Sequence, residues 1–308
     1  MAPTSSPTTI APDRRRLWLA ALKPPMYSVA IMPILLGTAV ARWQTGQTDV
    51  GIFATFLASA VLILVWENLS NDVFDAATGI DRNKHHSLVN LTGRRQLIFA
   101  IGNACLVAGL LGVAAIALAQ GSWVVPGLIL LCCLLGYAYQ GPPFRLGYEG
   151  LGELLCFPCF GPLGVEAAYY SQTGQFSLPA FWASLGLGIT TTLVLFCSHF
   201  HQVTDDVAAG KRSPVVRLGT ARAAALLPPA CAIALAAMVL PILAGQAPTL
   251  AAIALLSAPV ALDLCRFVGE YHAKPEVVFT SKFRAIRFQF LSGALLSLAY
   301  ALAPRAGL

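Results

Sequence analysis

The sequence predicts an all-α, polytopic membrane protein with nine transmembrane helices, and three observations carry that prediction. Of the 308 residues, 57% are hydrophobic and only 11% charged, against roughly 25% charged in soluble domains; the mean hydropathy is +0.70. Apolar windows of about 20 residues, the length a helix needs to cross a bilayer, recur along the chain. The length therefore reads as a count of helices within a single membrane domain, 1–308. Third, the positive charges fall almost wholly between alternate windows.

The windows run 25–43, 52–72, 96–119, 122–140, 151–171, 180–201, 221–243, 247–268 and 285–303. Before the first lies a polar lead-in, residues 1–22, expected to be mobile. It has no apolar stretch before a small-residue cleavage site, so it is no signal peptide, and it is short for a transit peptide, which suggests a bacterial or already mature chain. The second window, FATFLASAVLILVW, runs into the acidic stretch ENLSNDVFDAATGID, Glu67 to Asp81. The fourth and fifth are rich in Gly and Pro, and Pro126, Pro158 and Pro162 are expected to kink them. The sixth, FWASLGLGITTTLVLFCSHF, and the ninth, FQFLSGALLSLAYALA, read plainly as spans.

On the nine-span reading, one side holds every Lys and Arg except Arg42 and Arg305. Positively charged loops stay in the cytoplasm, so the N-terminus and the basic loops are expected there, in a bacterial inner membrane or a thylakoid. The net charge of +6 is then mainly topology, with a second use in binding anions and no call for nucleic acid. Most of the eight cysteines fall in spans, where Cys behaves as a small hydrophobe. Cys156 and Cys159 have CxxC spacing, but a second pair is missing and their setting is apolar, so redox or zinc chemistry ranks low.

The loops carry the chemistry. At the end of the second span, Asn68, Asp72 and Asp75 are spaced i, i+4 and i+7, and Asn71 with Asp75 i, i+4, so amides and carboxylates share adjoining faces of one helical end. Carboxylates at a membrane edge are costly and usually functional. Oxygen-only donors favour Mg²⁺, which takes one or two protein carboxylates and completes its shell with water and phosphate. Gly79 ends the helix, and Asp81 then opens a basic segment with Arg82, Lys84, Arg94 and Arg95, donors suited to phosphate oxygens. As a solvated loop, those Lys and Arg would serve topology alone.

A second loop, CSHFHQVTDDVAAGKRSPVVRLG, repeats the order of acid, glycine and base on the same face: Asp205 and Asp206, then Gly210, Lys211, Arg212 and Arg217. The repetition suggests two Mg²⁺ ions flanking one diphosphate, while His199 and His201 with Asp205 and Asp206 offer a transition-metal alternative. A third loop, YAYQGPPFRLGYEGLGE, adds Tyr139, Arg145 and Tyr148 within reach of a headgroup. An ion-coupled transporter, with its acids as relays, is the rival from another class, although no repeat of helices supports it.

Together these segments resemble the UbiA superfamily of intramembrane aromatic prenyltransferases along nearly the whole chain. NDVFDAATGID is similar to that family's first Asp-rich motif and TDDVAAGKRSPVVRLG to its second. LKPPMYSVAIMPILLGTA, NDVFDAATGIDRNKHHSLVNLTG, YQGPPFRLGYEGLGE and FHQVTDDVAAGKRSPVVRLG resemble the branch that acts on 1,4-dihydroxy-2-naphthoate, in its cyanobacterial and plastid phytyl-transferring form. The resemblance implies helices around a central cavity and transfer of a phytyl group from its diphosphate, with loss of CO₂, in phylloquinone or menaquinone biosynthesis. Homogentisate and 4-hydroxybenzoate rank lower as acceptors, because SLVNLTG stands where those branches carry an Arg-Pro type sequence.

Carried onto this chain, the resemblance implies Mg²⁺ held by Asp72, Asp75 and Asp81 with Asn68 and Asn71, and a second ion at Asp205 and Asp206. Lys84, Arg94, Arg145, Lys211 and Arg212 would bind the diphosphate, with His201 and Gln202 also facing substrate. Tyr139, His201 and Asp206 are the candidates for a proton acceptor. Two departures stand out: Gly79 occupies the usual place of the third acid, and Gln202 that of the second motif's first Asp.

Overall fold

The computed structural model describes residues 23–80 and 87–305; the expectations for Asp81 and Lys84, and for the lead-in 1–22, lie outside these residues. Among the described residues there is no strand. Helices fill each expected window: α1 (Pro24–Thr45), α2 (Val50–Thr78), α3 (Arg95–Gln120), α4 (Val124–Gln140), α5 (residues 152–173), α6 (Leu178–Ser198), α7 (Thr220–Ile242), α8 (Thr249–Tyr271) and α9 (Pro275–Leu302). Seven are long and apolar enough to cross a membrane. The other two are α4, a shorter apolar helix, and α5, which is interrupted.

Physical causes set the boundaries. Helix α2 starts on Asp49, whose carboxylate accepts the Ile52 amide at 2.9 Å, a normal N-cap. It runs to Thr78, six residues past the apolar window's end at 72, so Asp72 and Asp75 sit on the helical end that their spacing predicts. Gly79, at φ 79°, closes it with its amide on the Asp75 carbonyl. In α5, Gly161 leaves helical geometry at φ −104°, ψ −109°. The cause is Pro162, which brings no N–H and crowds the carbonyl four residues back. Pro126 falls in the first turn of α4 and leaves that helix unbroken, because a missing N–H there costs no hydrogen bond.

Helices α2 and α3 approach closely at Gly109, where a Cβ would stand 2.8 Å from Ile63 Cγ1 and 3.0 Å from the Ser59 carbonyl. Small residues at such crossings let membrane helices gain dispersion contacts that hydrophobicity alone does not supply in lipid. The three largest buried clusters fill most of the bundle: one among α1 to α5 with Phe56, Ile116 and Val125, one around Leu36, Leu187 and Leu296, and one around Leu227, Leu264 and Phe288. Outward, α3 presents Val107, Leu111 and Leu118, from 57% to 75% exposed, a stripe that only a lipid surround would stabilise. The two exceptional cations meet at one end: Arg42 donates to the Ala301 carbonyl and Arg305 to the Gln44 carbonyl. The acidic and basic loops gather at the other.

Candidate active site

A cavity of about 890 Å³ opens among α1, α2, α4, α5, α6 and the start of α9. Helix α2 supplies one wall as a single stripe through Phe56, Ala60, Ile63, Glu67, Asn68, Asn71 and Asp75, spacings of three and four that share a face. From Phe56 to Asp75 the helix rises about 28 Å at 1.5 Å per residue. The stripe is hydrocarbon at its deep end and amide and carboxylate at the mouth. Opposite walls repeat the gradient, with Ile34, Ile129, Phe160 and Val194 deep and Lys23, Gln140, His199, Gln202 and Lys211 near the polar end. Cys132, Cys133, Cys156 and Cys159 line the middle as free thiols, so the CxxC pair is cavity wall.

The first acidic motif divides its two aspartates. Asp75 lines the cavity and accepts the Tyr148 hydroxyl at 3.1 Å; that hydroxyl lies 2.8 Å from Thr78 Oγ1. Burial and the Asp75 charge push the Tyr148 phenol up, keeping it a neutral donor. Asp72 stands behind the wall, 1% exposed. One of its oxygens is 3.3 Å from Lys23 Nζ and the other accepts the Leu88 amide at 3.0 Å, tying α2 to the start of α1 and to the short helix Leu88–Thr92. Asn68 and Asn71 line the cavity, and the Asn68 side-chain nitrogen is buried without a hydrogen-bond partner among the described residues. Glu67 leans toward α4, where a Cβ on Gly136 would meet its carboxyl oxygen at 2.7 Å.

The second motif sits on the short helix Val203–Ala208. Asp206 is fully buried, with Ser213 Oγ donating to it at 3.0 Å, Lys211 Nζ 3.4 Å away and the His199 imidazole 3.6 Å away. Burial alone would raise its carboxyl, but His199, Lys211 and Ser213 outweigh that and hold it below the ordinary carboxylate value. A depressed native value stabilises the fold above the unfolded value and is lost as pH falls through the native one. Proteolysis of the 199–219 loop against pH is therefore expected to show full protection down to about pH 3.9 and loss only below it. Loss beginning above pH 5 would contradict this.

The third loop joins the other two. Its Tyr148 carbonyl accepts the Arg212 amide at 2.7 Å, its Glu149 carbonyl accepts Arg217 at 2.6 Å, and Glu153 faces His199 at 3.4 Å. Lys211 also lies 5.8 Å from the Tyr148 ring. Tyr139 lines the cavity and packs on Gly147 and Gly152, where a Cβ would strike its ring.

Of the expected diphosphate ligands, Lys211 lines the cavity, whereas Arg94 and Arg212 are exposed outside its lining and Arg145, at φ 45° with its Nε buried, is not part of that lining either. Gln202 lines the cavity; His201 and Asp205 stand half-buried beside it. Sequence reasoning missed two cations that the fold brings to the cavity, Lys23 and Lys282. In sequence both count only as topological charges, and the signal that could find Lys23 is its place directly before Pro24 and Pro25.

Among the described residues no three His, Cys, Asp or Glu side chains converge to hold a metal by themselves. The transition-metal alternative for His199, His201, Asp205 and Asp206 has no support in this arrangement: His199 bridges Glu153 and Asp206. Mg²⁺ needs less from the protein. The amide and carboxylate oxygens of Asn68, Asn71 and Asp75 share the wall without a thiol or imidazole, which fits an ion that completes its shell with water and phosphate.

The class of protein follows from this fold and site. Residues 30–293 match the UbiA prenyltransferase family, and the chain belongs to that family. Among its relatives, the 2-carboxy-1,4-naphthoquinone phytyltransferase of Synechocystis sp. is 50% identical over 97% of this chain and 96% of its own length. The chloroplastic 2-carboxy-1,4-naphthoquinone phytyltransferase of Arabidopsis thaliana is 38% identical over 95% of this chain and 78% of its own. The fold is shared with a UbiA homolog from Aeropyrum pernix K1, at a TM-score of 0.65 and 15% identity, covering 90% of this chain and 98% of that one. It is shared too with a UbiA homolog from Archaeoglobus fulgidus bound to GPP and Mg²⁺, at 0.56 and 16%, covering 91% and 99%. The chain is thus a multi-pass membrane enzyme of a prenyltransferase family, and an ion-coupled transporter is not needed to explain its membrane-edge acids.

Proposed function

We propose that this chain transfers a phytyl group from phytyl diphosphate to 1,4-dihydroxy-2-naphthoate, with Mg²⁺ and loss of CO₂, in phylloquinone or menaquinone biosynthesis. The observation that carries this reading is a single cavity whose wall passes from carboxylate, amide and ammonium to hydrocarbon along one helix. Such a gradient suits a lipid diphosphate, headgroup at the mouth and tail inside. The naphthoquinone in the names of the two relatives favours a naphthoate over homogentisate or 4-hydroxybenzoate. The dihydroxy form is the electron-rich one that can attack a carbocation.

In this reading the carbon–oxygen bond to diphosphate breaks and leaves an allylic cation. A ring carbon of the naphthoate bonds to that cation, and the bond to the carboxylate breaks, returning its electrons to the ring as CO₂ departs. Asp75, Asn68 and Asn71 would hold Mg²⁺ at the wall, with Asp81 and, behind the wall, Asp72 from the same motif, and the ion would neutralise charge on the leaving diphosphate. Asp205 and Asp206 are the proposed holders of a second ion. Lys211, which lines the cavity, is the proposed ligand of the diphosphate oxygens, with Lys84 as a further one, and Gln202 faces substrate; Arg94, Arg145, Arg212 and His201 are not among the lining residues. The apolar depth keeps water from the cation. Of the candidates for a hydroxyl proton, Tyr139 lines the cavity, whereas His201 and Asp206 stand outside it. Nine crossings, with the site and N-terminus on the cytoplasmic face of a plasma or thylakoid membrane, complete the proposal.

Phe56 sets the depth. It is 0% exposed and lies 12 residues below Asn68, about 18 Å along the helix. An extended phytyl chain is of similar length, about 20 Å from ordinary carbon–carbon bond lengths. Phe56→Ala is expected to admit longer prenyl diphosphates and to weaken the preference for phytyl by about tenfold, the worth of about two buried methylenes. Phe56→Trp should shift preference to shorter chains.

A matrix of acceptors against donors of different length, with the purified protein and Mg²⁺, tests the whole reading. Phytyl diphosphate with dihydroxynaphthoate is expected to give the highest kcat/KM. A higher value with homogentisate or 4-hydroxybenzoate would overturn the acceptor.

A further inference from the structure

The cavity wall carries a buried hydrogen-bond acceptor that the proposed reaction does not yet use. Gln140 is the last residue of α4 and lines the cavity, 2% exposed. Its Nε2 donates to the Glu67 carbonyl of α2 at 3.0 Å. That bond fixes which way the amide lies, since turning it over would set oxygen against oxygen. The other end of the amide, Oε1, is buried with no hydrogen-bond partner among the described residues. Buried side-chain oxygens are nearly always paired, so an unpaired one on a cavity wall points to a donor on the molecule that enters.

The bond to Glu67 sets Gln140 just inside the polar end of the α2 stripe. Asn68 and Asn71 stand within four residues of Glu67, about 6 Å along the helix, and Ile63 begins the hydrocarbon one turn deeper. At that level, below the diphosphate, the reacting carbons meet. Phytyl diphosphate brings acceptor oxygens there and no hydroxyl. Dihydroxynaphthoate brings two O–H donors, of which the 1-hydroxyl is engaged by its own neighbouring carboxylate. The 4-hydroxyl is left to donate. Oxidised to the quinone, the same ring carries carbonyl oxygens in place of both hydroxyls and has no donor to offer.

We propose that Gln140 Oε1 accepts the 4-hydroxyl of the aromatic acceptor and thereby selects its reduced, dihydroxy form over the quinone. The proposal rests on the functional reading above and assigns the redox state of the substrate within it. A site built to pair with a substrate hydroxyl rejects the analogue that lacks it, because the buried oxygen is then left unpaired. Against the quinone it would also face a second lone-pair oxygen. The selection serves the chemistry, since only the reduced ring is electron-rich enough to attack the allylic cation.

The test uses the full-length protein in detergent, wild type and Q140L, whose side chain is of similar size and carries no acceptor. Binding of dihydroxynaphthoate under reductant, of 2-carboxy-1,4-naphthoquinone without it, and of phytyl diphosphate with Mg²⁺ is measured for each. Wild type is expected to bind the dihydroxy form about 10- to 100-fold more tightly than the quinone, the range for a buried acceptor left unpaired. Q140L should bring that ratio to within about twofold by weakening the dihydroxy form alone, with phytyl diphosphate changed by no more than about twofold. If Gln140 served only to tie α4 to α2, all three ligands would weaken together. That result, an unchanged ratio, or weakening of the diphosphate alone would overturn the proposal. Should Q140L fail to insert, Q140M carries the same comparison. Wild-type protein that transfers phytyl to naphthoate while Q140L keeps the full ratio sinks only this inference; wild-type protein that transfers nothing to naphthoate sinks the functional reading and this inference together.

Discussion

Asp75→Ala is expected to abolish turnover while leaving the protein folded in the membrane. Asp75 lines the cavity at its polar end, with a neutral tyrosine donor fixing one of its oxygens. The amides of Asn68 and Asn71 stand on the same stripe. A carboxylate so placed would hold the Mg²⁺ that neutralises the diphosphate as negative charge develops on it. Removing one group that stabilises such charge lowers kcat by about 10²–10³-fold or more. The Tyr148 hydrogen bond lost with the carboxylate is worth about 1 kcal/mol. Diphosphate release by the variant, set beside its melting temperature in detergent, separates the two. Near-wild-type turnover would remove Asp75 from the reaction.

Asp72→Ala is expected to lose activity together with stability. Asp72 is almost wholly buried, its carboxylate shared between Lys23 Nζ and the Leu88 amide. Breaking a largely buried pair from one side costs about 3 kcal/mol. The Leu88 amide loses its acceptor as well. Asp72→Ala should therefore melt well below Asp75→Ala, and its 87–92 segment should become open to protease. Asp72→Asn, which keeps an oxygen for Leu88, should recover part of the stability and little of the activity. Equal melting of Asp72→Ala and Asp75→Ala would show that the Lys23 pair does not hold these elements together. The two aspartates look alike in sequence, three residues apart, yet the helix sends them to different neighbours.

That divergence marks where sequence reading ends. Helix positions were legible because apolar runs of bilayer length have few alternative structures. The helical spacing of Asn68, Asn71 and Asp75 was legible too, since it follows from 3.6 residues per turn. Which acid faced the cavity was not, because that depends on how α2 is rotated against α1 and α3, and packing at Gly109 decides it. Charges assigned to topology concealed Lys23 and Lys282, as a cation count per loop carries no direction. Arg94 and Arg212 show the converse: both lie in the loops the motifs predicted, and both are exposed outside the cavity lining. The break at Pro162 was visible in sequence, whereas the harmless place of Pro126 needed the exact start of α4.

The central claim is that one cavity joins a prenyl diphosphate to a naphthoate and expels its carboxyl. Carboxyl-labelled dihydroxynaphthoate, phytyl diphosphate and Mg²⁺ incubated with the purified protein test it most directly. The expected result is release of labelled CO₂ and diphosphate in equal amounts, stopped by a chelator. Diphosphate released with the label still on the product, or no diphosphate at all, would contradict it.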